Sequence, residues 1–153
     1  MPSPLDPHQQ LILEHAVARL VPADELGPGA REAGVAVYIA RTLAEHDTRF
    51  VDTYVRGLTA LDAYARTAHG SPFVDLAADA QDTALRALEQ GEVDGVDEGA
   101  APFFELLLRH TREGMFGDPH WGGNADGIGW SLLGYPGPRG VWSARDQALA
   151  DIP

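Results

Sequence analysis

The uneven distribution of glycine and proline limits what this chain can fold into more than any other feature. Between residues 114 and 140, glycine occupies nine positions and proline three, so 12 of 27 positions disfavour regular helix and strand. Earlier in the chain, apolar residues recur three and four positions apart, which is the spacing of a buried helical face. We therefore predict one domain, with an all-α body over residues 6–116 and an extended, loop-like C-terminal arm over residues 117–153.

Capping and helix-stopping residues divide the body into five predicted helices. The first begins after Asp6, where Pro7 takes the first helical position and Gln9 completes a capping box, and it ends at Leu20 before Pro22. The other four, which also lie between turn-forming residues, are predicted over residues 30–43, from Asp47 or Thr48 to about residue 70, over residues 77–90, and from about residue 102 to 115. The predicted fold is a bundle of about five helices with a glycine-, proline- and tryptophan-rich extended arm.

Composition and charge exclude several classes of function. The chain contains no cysteine, which rules out disulfides, thiolate zinc sites and iron–sulfur ligation by its own residues. Its formal net charge of -12 opposes binding to nucleic acid and to anionic lipid surfaces. The first residues carry no secretory or twin-arginine signal, and no stretch reaches the roughly 20 apolar residues of a membrane helix. We expect a cytoplasmic protein without membrane insertion, or a periplasmic one where a leader is missing or the partner is exported.

The strongest candidate for catalysis combines His110, Asp118, His120 and Asp126. Imidazole and carboxylate groups together hold zinc or iron with open coordination positions, which would make the chain a small standalone metal-dependent enzyme. The spacing lacks the tight HExxH pattern. The competing interpretation is structural: Asp118 caps a turn before Pro119, His110 lies late in a helix, and His120 is on the surface.

Other site patterns find less support in the sequence. The glycine-rich run from Gly122 to Gly129 follows no predicted strand and matches neither dinucleotide-binding nor P-loop spacing. As a calcium loop it would place Gly122 and Leu133 at the first and twelfth ligand positions, where carboxylates are needed. No serine lies in a GxSxG pattern. The sequence therefore predicts no catalytic residue, no metal and no cofactor bound by this chain.

The arm carries an unusual concentration of aromatic residues, namely Trp121, Trp130, Tyr135 and Trp142. Tryptophan and tyrosine on a segment without a core of its own are suited to anchoring in pockets of another protein. The same residues are equally suited to folding back onto the helices and completing the core of this protein. The residue types alone favour neither alternative.

Several runs of the sequence together resemble the gluconate 2-dehydrogenase subunit 3 family. The family's signature is matched by HTREGMFGDPHWGGN from His110 to Asn124, by DGIGW at residues 126–130 and by GYPG at residues 134–137. Its N-terminal pattern is matched by LVPAD at residues 20–24 and GPGA at residues 27–30. The resemblance covers nearly the whole chain. Trp121 departs from the pattern, since the family has tyrosine before the Gly-Gly-Asn run.

The resemblance implies a small helical subunit bound to a large FAD-binding flavoprotein of the glucose-methanol-choline (GMC) type, often with a cytochrome as third partner. FAD in the large subunit takes hydride from a sugar, a sugar acid or a polyol. The small subunit is implied to bind its partner, to stabilise it and to help it mature, without catalytic residues or a cofactor of its own. Family members frequently carry a twin-arginine leader, which this sequence lacks.

The resemblance and the aromatic arm together predict where the partner binds. The residues assigned to that contact all lie in or beside the signature: Met115, Phe116, Asp118, Pro119, His120, Trp121, Gly122, Gly123, Asn124, Trp130 and Tyr135.

Overall fold

A computed structural model describes residues 2–138 and residue 140. Within them the chain forms six α-helices: α1 (Pro7–Leu20), α2 (Val35–Glu45), α3 (Val51–His69), α4 (Ala78–Glu89), α5 (Ala100–Phe116) and α6 (Ile128–Leu132). Short 3-10 helices connect several of them, at Thr48–Phe50, Phe73–Asp75, Pro119–Trp121 and Ala125–Gly127. No β-strand occurs in the described residues, so the all-α prediction is confirmed. Residues 141–153, including Trp142 of the predicted arm, lie outside the described part of the chain.

The start of α1 follows the predicted capping arrangement. The backbone N–H of Gln9 donates to Asp6 Oδ1 at 2.8 Å, and the backbone N–H of Asp6 donates to Gln9 Oε1 at 3.0 Å. Pro7 takes the first helical position, where its missing N–H has no cost. The predicted capping box is therefore confirmed.

Helix α5 lies at the centre of the bundle and packs against each of α1, α2, α3 and α4. Its buried side chains include Phe103, Leu107 and Met115, which join one hydrophobic cluster formed by all five long helices. Gly57 on α3 lets the ring of Phe103 approach closely, because a Cβ at Gly57 would lie 2.3 Å from the ring carbon Cε1. No helix in the described range is long and apolar enough to cross a lipid bilayer.

Two predicted helix starts were wrong. Helix α2 begins at Val35 instead of Ala30, because Gly34 adopts a left-handed conformation (φ 70°) that separates a preceding turn from the helix. Asp47 precedes a 3-10 helix and its side chain makes no capping hydrogen bond there. The carboxylate of Asp47 instead faces His110 on α5.

The arm is more structured than the prediction of an extended segment. Residues 117–138 contain two 3-10 helices and α6, and α6 packs on α5. Sharp turns at residues with positive φ, among them Gly122, Asn124 and Gly127, separate these short elements. The glycine-rich sequence supplies tight turns between short helices, which allow the chain to fold back onto the bundle.

Candidate functional site

The signature residues begin where α5 ends, at a point where the helix leaves backbone carbonyls without partners. The N–H of Gly117 donates to Glu113 O at 2.8 Å, as the last intrahelical bond. The carbonyls of residues 114–117 therefore need hydrogen-bond donors from outside the helix. We call residues 117–130, which provide them, the signature loop.

Asn124 is the main partner for these carbonyls. Its backbone N–H donates to Gly114 O at 2.7 Å, and its side-chain Nδ2 donates to Gly117 O at 2.8 Å. Its Oδ1 accepts from the backbone N–H of Gly129 at 2.7 Å. The residue is fully buried and adopts a left-handed conformation with φ 45°. Asparagine suits this position because it tolerates that conformation and offers both a donor and an acceptor.

The remaining carbonyls are covered by the end of the loop. Trp130 Nε1 donates to Phe116 O at 2.7 Å. Gly129 passes so close to Met115 that a Cβ would lie 1.9 Å from its carbonyl oxygen. A Cβ at Gly123 would likewise lie 2.2 Å from Gly114 O. The glycines, the asparagine and Trp130 of the signature therefore form a tight closure of the helix end.

The signature loop also makes hydrogen bonds to α2 and to the turn that precedes it. The N–H of Ala125 donates to Ala33 O at 3.0 Å, just before α2 begins. Arg41 Nη1 donates to His120 O at 3.3 Å. Because both ends and the middle of the loop are held, its exposed side chains have a defined position.

Trp121 is the most prominent of these exposed side chains, with 48% of its surface accessible. It makes edge-to-face contacts with His46 and His120, at ring centroid distances of 5.6 and 5.2 Å. Asp118 accepts from the N–H of His120 at 2.9 Å and is exposed beside them. We call Trp121, His46, His120, Asp118 and Arg41 the Trp121 surface.

The structure separates the predicted partner-binding residues into two groups. Met115, Gly123 and Asn124 are buried, so in this conformation they position the loop and cannot touch a partner. The other predicted residues are at least partly accessible: Phe116, Asp118, Pro119, His120, Trp121, Gly122, Trp130 and Tyr135. Sequence reasoning missed Arg41 and His46, which come from α2 and its end and carry no motif of their own.

The four candidate metal ligands are not brought together. Among the residues that the structure describes, no three histidine, aspartate or glutamate side chains are grouped so as to hold a metal ion. Asp118 and His120 lie on the surface of the signature loop, as the structural interpretation predicted. His110 lies late in α5, as the same interpretation predicted, and it is fully buried in the bundle. The arrangement offers no support for the standalone metal enzyme.

His110 instead belongs to a buried polar contact between three elements. Its Nδ1 lies 2.9 Å from Tyr54 Oη, and the two rings stack. Its Nε2 lies 3.4 Å from Asp47 Oδ2, but the two atoms are not aligned for a hydrogen bond. Burial lowers the pKa of His110 and Arg109 lowers it further, whereas Glu113 and Asp47 raise it. Burial also raises the pKa of Tyr54. Both side chains are therefore neutral near pH 7 and serve the packing of the bundle.

The lowered pKa of His110 predicts a loss of stability in mild acid. Above its ordinary pKa of about 6.5, neither the folded nor the unfolded state binds this proton. As the pH falls below 6.5, the unfolded chain takes up a proton that the folded chain resists, so the free energy of unfolding decreases. Urea denaturation between pH 8 and pH 5 measures this slope. Each pKa unit of lowering contributes about 1.4 kcal/mol.

The matched variants are His110→Gln and His15→Gln, because burial lowers the pKa of His15 as well but leaves that ring partly accessible. His110→Gln should flatten most of the slope, and His15→Gln should flatten less of it. A slope that is unchanged in His110→Gln would contradict the prediction, whatever the absolute stability of that variant.

Comparison with protein families matches most of the chain. A family model described as gluconate 2-dehydrogenase subunit 3 matches residues 7–137. The match runs from the first residue of α1 to Gly137, beyond the signature loop. No curated protein and no solved structure matches the chain.

Proposed function

The chain belongs to the gluconate 2-dehydrogenase subunit 3 family, and on that premise we propose that it is the non-catalytic small subunit of an FAD-dependent dehydrogenase. Membership implies a dehydrogenase as partner. We propose further that this partner is a large flavoprotein of the GMC type that oxidises a sugar, a sugar acid or a polyol. In this proposal FAD is bound by the partner, and the chain itself holds no cofactor.

The observation that carries the proposal is the Trp121 surface. A tryptophan with about half of its area exposed would lose little ordering entropy on binding, because the loop beneath it is already held by backbone hydrogen bonds. Tryptophan anchors of this kind contribute much of the binding energy at protein interfaces. In this proposal the buried signature residues cap the C-terminal end of α5, and the exposed ones contact the partner.

A preformed surface also supports the proposed role in stabilising the large subunit. A ligand that binds only the folded state of a protein stabilises that state by mass action. A rigid small subunit that binds folded flavoprotein would therefore raise the fraction of large subunit that is folded and able to hold FAD. No residue of the small subunit needs to enter the catalytic site for this effect.

Affinity purification from the native host tests the proposal. The tagged chain should recover a flavoprotein, identified by mass spectrometry, with the absorbance bands of oxidised flavin and activity on a panel of aldoses, aldonic acids and polyols. The isolated chain should show neither flavin nor activity. Fractionation of the same cells checks the cytoplasmic location that the sequence led us to expect.

The rival metal enzyme gives a different result in the same preparation. Elemental analysis of the isolated chain should find no stoichiometric zinc or iron. One metal ion per chain that is lost in His120→Ala, or oxidation of a sugar by the chain alone, would replace the subunit proposal with the enzyme. A purification that yields the chain without any flavoprotein would also count against the proposal.

A further inference from the structure

An apolar groove of about 610 Å³ lies between α6 and the turn from Asp24 to Gly27. Its walls come from two segments that are distant in sequence: Val21, Pro22, Asp24, Leu26, Gly27 and Pro28 on one side and Asp126, Ile128, Ser131 and Leu132 on the other. None of these residues belongs to the Trp121 surface.

Leu26 projects from the turn with 83% of its surface exposed. The turn beneath it is closed by two backbone hydrogen bonds, from Asp24 N–H to Gly27 O at 3.0 Å and from Gly27 N–H to Asp24 O at 3.2 Å. Asp24 Oδ1 also accepts from the N–H of Leu26 at 2.8 Å. Burial of the exposed Leu26 side chain by a partner is favourable because it removes apolar surface from water. Binding would lose little ordering entropy, because the backbone of the turn is already held by hydrogen bonds.

The opposite wall adds further apolar surface. Leu132, which lines the groove, is 39% exposed, and Leu133, which follows α6 next to the groove, is 65% exposed. Gly27 packs directly on Leu132, since a Cβ at Gly27 would lie 2.6 Å from Leu132 Cδ2. The turn therefore packs on α6 at Gly27, and Leu26 and Leu132 both line the groove beside this contact.

The charge of the groove indicates what kind of segment fits it. Its charged lining residues are Asp24 and Asp126, and no basic residue lines it. Asp126 is exposed and adopts a left-handed conformation with φ 55°, which aspartate tolerates better than most residues with a side chain. Within residues 2–138 and 140, Asp126 forms no salt bridge. A carboxylate is thus presented at the rim of an apolar groove, where it complements a basic side chain.

We propose that this groove binds a segment of the large flavoprotein subunit that carries an apolar side chain flanked by an arginine or a lysine. The apolar side chain lies between Leu26 and Leu132, and the basic group pairs with Asp126. This inference rests on the proposed function. Asp126 follows Trp121 by five residues in the signature loop, so one partner can cover the groove and the Trp121 surface together.

The test uses the purified large subunit with its FAD and the full-length small subunit, and measures their dissociation constant. Leu26→Ala should weaken binding about tenfold, because the interface loses most of a buried leucine side chain. Leu11→Ala is the matched control, since Leu11 is an exposed leucine (47%) on α1, and it should change affinity less than about twofold. Circular dichroism should be the same for both variants.

Asp126→Asn tests the charge without disturbing the fold, because asparagine tolerates a left-handed backbone. It should weaken binding about fivefold at low ionic strength and have little effect in 1 M salt, where an exposed ion pair is screened. Equal affinities of Asp126→Asn and the natural chain at both salt concentrations would overturn the assignment of a basic group.

The outcomes separate this inference from the proposed function. If the natural chain binds the flavoprotein and both groove variants bind it equally well, the groove proposal is wrong and the subunit proposal stands. If the natural chain binds no flavoprotein, both fail. If Leu26→Ala instead separates a homodimer of the chain, with unchanged flavoprotein affinity, the occupant is a second copy and the proposal is overturned.

Discussion

Replacing Asn124 with alanine is expected to lower the free energy of unfolding of the isolated chain by about 3–5 kcal/mol. The change removes the donor to the partly buried Gly117 O and the acceptor for the buried N–H of Gly129. A buried backbone group without a partner costs about 1–3 kcal/mol, and a partly buried one costs less. Alanine also resists the left-handed backbone at this position by about 1–2 kcal/mol. Urea denaturation measures the loss, and the melting temperature should fall by roughly 10 °C.

Two matched variants divide this loss into its causes. Asn124→Gly keeps the left-handed backbone without strain, so its loss reports the side-chain hydrogen bonds alone and should be about 1 kcal/mol smaller. Asp126→Ala places alanine in a similar left-handed conformation at an exposed position and should cost only about 1–2 kcal/mol. If Asn124→Ala is no more destabilising than Asp126→Ala, the buried hydrogen bonds do not close α5 as described.

Features that depend on near neighbours in the sequence were predicted well. The capping box at Asp6 and Gln9 and the apolar spacing of α1 operate within one or two helical turns, and the structure confirms both. The predicted start of α2 was wrong because Gly34 adopts a left-handed conformation, so the helix begins only after it, at Val35. A glycine in a helical pattern is compatible with both outcomes, so periodicity alone does not decide between them.

The candidate site depended more on tertiary contacts. The signature was recognised from its sequence, but the division between buried Asn124 and exposed Trp121 became visible only when α5 and its closing loop were seen together. His46 reaches Trp121 from the end of α2, 75 residues earlier in the chain. His110 lies late in α5 as predicted, but its burial depends on partners from other elements, Tyr54 and Asp47. Residue types and spacing carry no information about such pairings.

Trp121→Ala is expected to weaken binding to the large subunit by about 2 kcal/mol or more, a loss of roughly thirtyfold in affinity. The ring is the largest exposed apolar group of the Trp121 surface, and it stands on a loop that does not need to reorganise on binding. Titration of the FAD-loaded large subunit with the natural and variant chains measures the change. The flavin content of the large subunit co-expressed with Trp121→Ala should fall as well, because less of that subunit is stabilised by binding.

Two further variants show whether the loss belongs to the interface. The isolated Trp121→Ala chain should keep its helical circular dichroism, since the ring is half exposed and the hydrogen bonds that close α5 do not involve its side chain. Trp121→Tyr restores the aromatic residue of the family's pattern and should retain most of the affinity. Unfolding of Trp121→Ala on its own would place the tryptophan in the core. A folded variant that binds the large subunit as tightly as the natural chain would show that the partner does not bind through Trp121.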